Sequence, residues 1–249
     1  MTLSFLILSI LLILSLITAG IIYWFWYNCF RIESRRYLKA LCCGNPAHFV
    51  EAPAIALTFD DGIHPEYTPK ILEILEKHQI KATFFLIGEK AQAYPEWVRY
   101  IHANGHQIGI HSFYHRNSFP FQSAAAIRDE LEQTRLILSR LVGTEIFLFR
   151  PPFGVTNPMI AQATQQLNLT TIGWSIRSLD TRSSSIEQTL KRICKKLHPG
   201  GIILLHDTLP QAPELLEALL ALLDKKKYQI LSLEQILQIK FQSSLNLTK

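Results

Sequence analysis

Two adjacent carboxylates, Asp60 and Asp61, follow the apolar run Ala54–Phe59. Carboxylates that leave a buried strand together face one crevice, where one can bind a metal ion while the other stays free as a base. Gly62 follows them, so a solvated turn with a permissive glycine is the alternative interpretation. Taken alone, the pair fits a catalytic site and a surface turn equally well.

Two histidines four residues apart follow another apolar run, Gln107–Ile110. On one helical turn His111 and His115 would face the same side and could grip one cation. Two unrelated exposed histidines are the alternative, since the chain has 9 in all. The carboxylate pair at an equivalent strand end favours the metal site.

Two further polar positions follow apolar runs. Arg150 enters a loop that Pro151 and Pro152 stiffen, and its planar guanidinium can orient a carboxylate; a rigid structural turn explains these residues equally well. His206 leaves the apolar run Ile202–Leu205 and could act as a general acid, although a core or capping histidine is the commoner role.

These residues need a scaffold that brings strand ends together. Short apolar runs alternate with amphipathic stretches, which predicts a parallel sheet covered by helices, with seven β/α repeats in a barrel or an open sheet. The predicted strands are 54–59, 82–87, 107–110, 146–149, 170–174, 202–205 and 228–231. The predicted helices are 68–78, 95–104, 123–142, 158–167, 186–197 and 213–226. Active sites of such folds lie at the carboxyl ends of the strands, where the polar residues fall.

The amino-terminal segment predicts a transmembrane anchor over residues 1–30. It carries no charged side chain and exceeds the roughly 20 apolar residues that cross a bilayer. A cleaved signal peptide is the alternative, with a weak small-residue site at 18–20. The run continues past that site to Trp24 and Trp26, and such aromatics are typical of a membrane interface, so an uncleaved anchor is favoured.

The rest of the chain predicts a basic juxtamembrane stalk (31–50), one domain (51–240) and a carboxyl-terminal tail (241–249). Of the net charge of +5, three charges belong to residues 1–45, where four basic side chains oppose Glu33. This concentration favours contact with anionic membrane lipid, and no nucleic-acid partner is expected. An apolar content of 48% excludes a disordered chain, and the 4 cysteines have neither zinc-site nor disulfide-framework spacing.

Four motifs, in this order, resemble the polysaccharide deacetylases of carbohydrate esterase family 4, which share the NodB homology domain. The motifs are Asp60-Asp61, His111-Ser112-x-x-His115, Arg150-Pro151-Pro152-Phe153 and Leu204-Leu205-His206-Asp207. The resemblance runs from about Ala54 to Leu237 and implies a distorted (β/α)7 barrel.

The resemblance also implies roles for the site residues. Asp61, His111 and His115 would hold a divalent metal ion, most often zinc. Asp60 would be the general base, and His206 would protonate the leaving amine.

Three more roles and two departures follow from the same resemblance. Arg150 would hold the base in place, and Asp180 would tune the acid histidine. The backbone N–H of Phe153, beside Pro152, would stabilise the oxyanion. The chain differs from the family at Arg177, where an aspartate is usual, and at Thr181, where a tryptophan normally walls the acetyl pocket.

The expected function is a metal-dependent hydrolase that removes N-acetyl groups from amino sugars of a cell-envelope glycan, either peptidoglycan or an N-acetylglucosamine polymer. One alternative is a deacylase or deformylase that acts on a polyprenyl-linked sugar at the membrane face. Another is a catalytically inactive carbohydrate-binding module, which the complete set of acid, base and metal-ligand residues argues against.

The orientation in the membrane rests on two conflicting arguments. Basic residues follow the apolar segment, which by the positive-inside rule favours a cytoplasmic domain. Envelope glycans lie outside the cytoplasm, and large domains translocate largely regardless of charge. The chemistry is given more weight, so a single-pass protein with residues 46–249 outside the cytoplasm is expected.

Overall fold

The fold is a curved parallel sheet with helices packed on its outer face, as seen in a computed structural model that describes residues 3–182 and 185–239. The predicted tail, 241–249, lies outside these residues. The strands are β1 (Ala54–Asp60), β2 (Thr83–Leu86), β3 (Gln107–Ile110), β4 (Leu148–Phe149), β5 (Thr170–Thr171), β6 (Ile176–Arg177), β7 (Gly201–His206) and β8 (Gln229–Ile230). The helices are α1 (Leu3–Cys29), α2 (Tyr67–Lys77), α3 (Gly88–Ala93), α4 (Pro95–Ala103), α5 (Ala124–Val142), α6 (Pro158–Gln166), α7 (Ile186–Lys196), α8 (Ala212–Lys225) and α9 (Leu233–Leu237).

The strand order is β5-β4-β3-β2-β1-β7-β6, and β8 adds a short pairing to the start of β1. All of these pairings are parallel. Among the described residues no pairing joins β5 to β6, so the barrel is open on that side. The predicted distorted barrel is confirmed, and β6 is a two-residue strand that the sequence pattern did not predict.

The central strand β1 is buried along its whole length, which explains its uninterrupted apolar run. Alternate side chains of a strand point to opposite faces. Ile55, Leu57 and Phe59 join the larger core cluster with the helices, whereas Ala54 and Ala56 belong to a second cluster. A strand buried on both faces cannot show the polar alternation of an exposed sheet, and its carboxyl end enters the interior of the half-barrel.

The longest helix of the domain, α5, has a residue suited to each of its two ends. The Ser123 hydroxyl accepts a hydrogen bond from the Ala126 N–H, and Gly143 ends the helix with φ +74°. A side-chain oxygen satisfies an unpaired N–H at the start, and glycine adopts the left-handed conformation at the end without steric cost. These two residues fix the length of the helix that supports the histidine loop described below.

Helix α1 has a long apolar surface, and its most apolar stretch is not buried against the rest of the described structure. Its segment Ile7–Cys29 is long and apolar enough for a membrane span, and a signal sequence meets the same criteria. The last turn packs on the domain: Cys29 is buried, and its carbonyl accepts a hydrogen bond from the Thr156 N–H at 2.8 Å.

The segment after α1, predicted as a stalk, lies along the domain. Ile32 and Phe49 are buried in the second core cluster. Leu41 forms a parallel β-bridge with Ile172. The chain from α1 to β1 therefore contributes to the wall on the open side of the barrel.

Candidate functional site

The strand register brings the predicted site residues to one edge of the sheet. Asp60, the last residue of β1, is aligned with His206, the last residue of β7. On its other side Asp60 is aligned with Phe85 of β2. Parallel strands end on the same side, so side chains far apart in sequence meet at this edge.

Asp60 is held by an arginine inside the half-barrel. Arg150 Nη1 donates hydrogen bonds to Asp60 Oδ1 at 2.7 Å and to Thr58 Oγ1 at 2.8 Å. Nη2 of the same guanidinium donates to the Gly173 carbonyl at 2.8 Å. Arg150 is 0% exposed and Asp60 is 2% exposed. Because a buried cation without partners is very costly, these bonds lock the guanidinium and fix the Asp60 carboxylate.

Asp61, His111 and His115 come together as predicted. The Nε2 atoms of both histidines lie 3.4 Å from Asp61 Oδ1. That oxygen is buried and has no hydrogen-bond partner among the described residues. Donor atoms around a tetrahedral zinc ion, each at ~2.1 Å, lie roughly 3.4 Å from one another. The spacing and the unpartnered oxygen therefore fit a divalent cation.

Hydrogen bonds orient the ligand set. His111 Nδ1–H donates to the Arg150 carbonyl oxygen at 2.8 Å, which leaves the Nε2 lone pair facing Asp61. Burial opposes ionisation of Asp61, but the nearby His111 and, after it, the charges of His115 and His206 lower its pKa below the usual range. Burial and His111 lower the pKa of His115 to about 4. Metal ligation needs a carboxylate and neutral imidazoles.

The predicted helical turn between the histidines is wrong. Residues 111–115 form an irregular loop in which Ser112 has φ +66° and His115 has φ +53°. Two backbone N–H groups inside it, of Phe113 and Tyr114, donate to Glu130 Oε1 on α5 at 3.0 and 3.2 Å. The histidines converge because a carboxylate holds the loop between them, whereas helical periodicity plays no part.

His206 forms a pair with Asp180 on the opposite side of the pocket. Its Nδ1–H donates to Asp180 Oδ1 at 2.8 Å, and its backbone N–H donates to Oδ2 at 2.9 Å. Burial opposes protonation, but Asp180, followed by Asp60 and Asp61, raises the pKa of His206 to about 9. The imidazole is therefore protonated at neutral pH, and its Nε2, 3.9 Å from Asp61 Oδ2, faces the ligand set.

The Arg-Pro-Pro-Phe segment forms a tight turn after β4. Its closing hydrogen bonds run from the Gly154 N–H to the Pro151 carbonyl and from the Val155 N–H to the Pro152 carbonyl. Neither bond uses the N–H of Phe153, a residue with φ +60° whose ring lies 4.7 Å from that of His115. Pro152 is buried, and the pocket is lined by Pro151 and Phe153.

These groups surround one cavity of about 190 Å³, here called the catalytic pocket. Its polar lining includes Asp60, Asp61 and the three histidines of the site. Arg177 and Thr181, the two departures from the family pattern, also line it, together with Trp174. The residues that differ from the family pattern are thus in a position to contact a substrate.

Several supporting residues were not predicted. Lys90 Nζ donates to the Asp61 carbonyl at 2.7 Å. Asp207 is fully buried and accepts a hydrogen bond from Thr68 Oγ1 at 2.6 Å, while a Cβ on Gly62 would lie only 2.6 Å from its carboxylate. Burial raises the pKa of Asp207 to about 6. No sequence spacing indicates these contacts; only the position of Asp207 directly after a strand-end histidine was a signal.

Comparison with known proteins agrees with this geometry. A family profile described as "Polysaccharide deacetylase" matches residues 49–172. A peptidoglycan-N-acetylglucosamine deacetylase of Bacillus cereus is 38% identical over 155 residues, which cover 62% of this chain and 56% of that protein. The peptidoglycan-N-acetylmuramic acid deacetylase PdaA of Bacillus subtilis is 32% identical over 187 residues, covering 74% and 71%. The chain belongs to the polysaccharide deacetylase family. It spans a little over half the length of the Bacillus cereus relative.

Solved structures confirm the fold of this polysaccharide deacetylase family member. The structure of PdaA, a family 4 carbohydrate esterase, superposes with a TM-score of 0.69 at 30% identity and covers 79% of this chain and 84% of that one. A CE4 family pseudoenzyme from Bacillus anthracis superposes at 0.71 with 27% identity, covering 79% and 68%. Because the same fold serves a pseudoenzyme, activity must be argued from the side chains of the pocket.

Proposed function

We propose that this chain is a metal-dependent deacetylase that removes N-acetyl groups from amino sugars of a cell-envelope glycan. One observation carries the proposal: a metal-ligand trio, an arginine-held carboxylate and a protonated histidine line the same pocket. Binding of a carbohydrate alone needs none of these three groups. Metal-assisted amide hydrolysis uses all of them, because the carbonyl is a poor electrophile and the amine a poor leaving group.

Asp61, His111 and His115 would hold the metal, and their one oxygen and two nitrogen donors suit zinc. When bound there, zinc would polarise the substrate carbonyl and lower the pKa of a water molecule towards roughly 7. Metal analysis of the purified protein distinguishes zinc from nickel, cobalt or another divalent ion with the same ligand preference.

The side chains of the chain do the remaining work. Arg150 occupies Oδ1 of Asp60, so Oδ2, which lies 3.9 Å from His111 Nε2, is the oxygen that takes a proton from water. His206, held by Asp180, gives a proton from Nε2 to the leaving amine. The N–H of Phe153 is the donor assigned to the developing oxyanion, beside Pro152 in the same turn.

The substrate is proposed to be peptidoglycan or an N-acetylglucosamine polymer. The relatives described above are named for peptidoglycan amino sugars, which favours a glycan over the polyprenyl-linked sugar of the alternative hypothesis. The full chain, purified in detergent, is tested for acetate release from peptidoglycan, from chitooligosaccharide and from a polyprenyl-linked N-acetyl sugar, with and without chelator. Release from the lipid-linked sugar alone would reject the glycan proposal. Release from the glycans that chelation does not affect would reject the metal.

We also propose that α1 anchors the protein in a membrane. A helix that is apolar on all sides and unburied has no partner face in the described structure, and lipid satisfies all of its faces at once. The packing of Cys29 and Ile32 on the domain supports an anchor that stays attached to the mature protein.

The catalytic domain is proposed to lie outside the cytoplasm, where envelope glycans are. The test fuses alkaline phosphatase, which is active only after export, to the carboxyl end of the full chain. An active fusion supports the proposal. A silent phosphatase together with an active cytoplasmic reporter at the same position would reverse the orientation.

A further inference from the structure

A second cavity, of about 400 Å³, adjoins the catalytic pocket. The two cavities share Phe153, Trp174, Arg177 and Leu179. Its far wall is formed by residues 30–33, directly after α1, and by the end of α7. We call this cavity the basic cleft. A group attached to a sugar in the catalytic pocket can enter it without crossing open solvent.

The cleft has a strong excess of positive charge. Its charged residues are Arg31, Glu33, Arg177, Arg192, Lys195 and Lys196. Glu33 lies 3.5 Å from Arg31, which is the one carboxylate-to-cation pair among them. Within residues 3–182 and 185–239, no carboxylate lies within 4.0 Å of Arg177, Lys195 or Lys196. Among the described residues, four positive charges thus line this cavity without a carboxylate in ion-pair contact, and Asp180 acts on Arg177 only from beyond that distance.

The helix dipole accounts for part of this charge and leaves Arg177 unexplained. Lys195 and Lys196 end α7, where cations favourably face the helix carbonyls. Arg192, also on α7, donates to the Ser178 carbonyl at 3.1 Å and so has a structural contact. Arg177 lies on strand β6 with its guanidinium 5.7 Å from the Trp174 ring centre. Neither a helix end nor an ion pair gives it a structural purpose.

Arg177 stands at the boundary between the catalytic pocket and the basic cleft. A planar guanidinium binds phosphate and carboxylate groups through two parallel hydrogen bonds. The lysines beside it add point charges that attract the same groups.

We propose that the basic cleft is a subsite for an anionic group, a phosphate or a carboxylate, carried by the amino-sugar substrate. The inference rests on the proposed deacetylase function, because the sugar is positioned by its acyl group in the catalytic pocket. Two sources supply this chemistry. One is a phosphate on the sugar itself, and the other is the carboxylate of an acidic sugar unit in a glycan chain.

The experiment compares substrates of different charge with the full chain in detergent. The kcat/KM for acetate release is measured on neutral tetra-N-acetylchitotetraose, on N-acetylglucosamine 1-phosphate and on an oligosaccharide that contains N-acetylmuramic acid. An anionic substrate is expected to exceed the neutral one by about tenfold or more, and added salt should reduce the preference because it screens the charges. The better of the two anionic substrates identifies the source of the charge.

Variants test whether the cleft causes this preference. R177Q, and K195Q combined with K196Q, should each lower the ratio of anionic to neutral kcat/KM by about tenfold. The matched control is K225Q combined with K226Q, which removes two exposed lysines at the end of α8, outside both cavities, and should leave the ratio unchanged. Both values of kcat/KM are measured on the same preparation of each variant. A loss of folded protein lowers both values equally and leaves their ratio unchanged.

A binding measurement separates failure of the subsite from failure of the proposed function. Calorimetric titration of the wild type with N-acetylglucosamine 1-phosphate and with N-acetylmuramic acid, repeated with K195Q/K196Q, reports on the cleft without turnover. Hydrolysis without any charge preference, together with equal binding by wild type and variant, would overturn the subsite and leave the deacetylase proposal standing. Charge-dependent binding without hydrolysis of any substrate would support the subsite and overturn the deacetylase proposal.

Discussion

The proposed acid–base groups and the proposed metal ligands line the same pocket, but regular strands hold the first set and irregular loops hold the second. Asp60 and His206 end two neighbouring strands in register, and each has a buried ionic partner, Arg150 and Asp180. Asp61 and His115 have left-handed backbone conformations. The sheet therefore fixes the positions of the proposed proton-transfer groups. The positions of the proposed metal ligands depend on the contacts that hold two loops together.

The sharpest way to break this comparison is to separate base from ligand. Asp60→Asn is expected to keep its metal, because the amide preserves the shape at the strand end, while kcat falls about 10²–10⁴-fold with loss of the proton acceptor. Metal content and kcat are measured on the same preparation. Asp224→Asn, an exposed carboxylate on α8, is the control. If Asp60→Asn lost the metal and Asp61→Asn kept it, the two roles would be reversed.

Removal of a ligand histidine should reduce metal content and turnover together. His111→Ala and His115→Ala each delete one of three protein donors, so the loss should exceed the roughly 10–100-fold that a supporting hydrogen bond contributes. Metal analysis and acetate release at several zinc concentrations check this, with His102→Ala on the exposed face of α4 as control. Full activity after hours in a strong chelator would contradict the assignment.

The dependence of the histidine loop on α5 can be tested at Glu130. Glu130→Gln weakens the acceptor for the two N–H groups between the histidines, so metal affinity should fall about 10–100-fold with a smaller change in kcat at saturating metal. The matched control is Glu132→Gln on the same helix, where the carboxylate pairs with Arg135 instead. Equal affinities in the two variants would show that the loop holds its shape without Glu130.

The smallest effect is expected at Asp180 and concerns pH. In the proposed mechanism protonated His206 is the acid, and Asp180 raises its pKa, so activity should decline at alkaline pH as the imidazole loses its proton. Asp180→Asn removes the charge and lowers that pKa, which should move the alkaline limb of the kcat profile down by about 1–3 pH units. Asp129→Asn, an exposed carboxylate on α5, should leave the limb in place. An unmoved limb in Asp180→Asn would exclude His206 as the acid.

The sequence predicted the strand-held half of the site better than the loop-held half. Asp60 and His206 follow long apolar runs, and a run with a polar end indicates both a strand and an active-site edge. Strand β6 escaped prediction because two residues, Ile176 and Arg177, show no period. The helical turn at the histidines was predicted from spacing alone, which carries no information about left-handed backbone conformations.

Contacts between distant segments set the remaining features. Glu130 reaches the histidine loop from α5, and Lys90 reaches the Asp61 carbonyl from α3. In the sequence, neither side chain differs from an ordinary exposed residue of a helix. The packing of 31–50 on the domain could not be predicted either, because its buried residues Ile32 and Phe49 do not belong to an apolar run long enough to show a period.

The packed junction between α1 and the domain has a consequence for how the protein would find its substrate. With α1 in a bilayer, as proposed, two contacts restrict rotation of the domain relative to the helix. They are the hydrogen bond from the Thr156 N–H to the Cys29 carbonyl and the β-bridge between Leu41 and Ile172. The mouth of the pocket then keeps one height and one tilt above the lipid surface. The protein then encounters substrate by lateral diffusion in the membrane. Its pocket reaches a thin layer of the envelope next to the membrane.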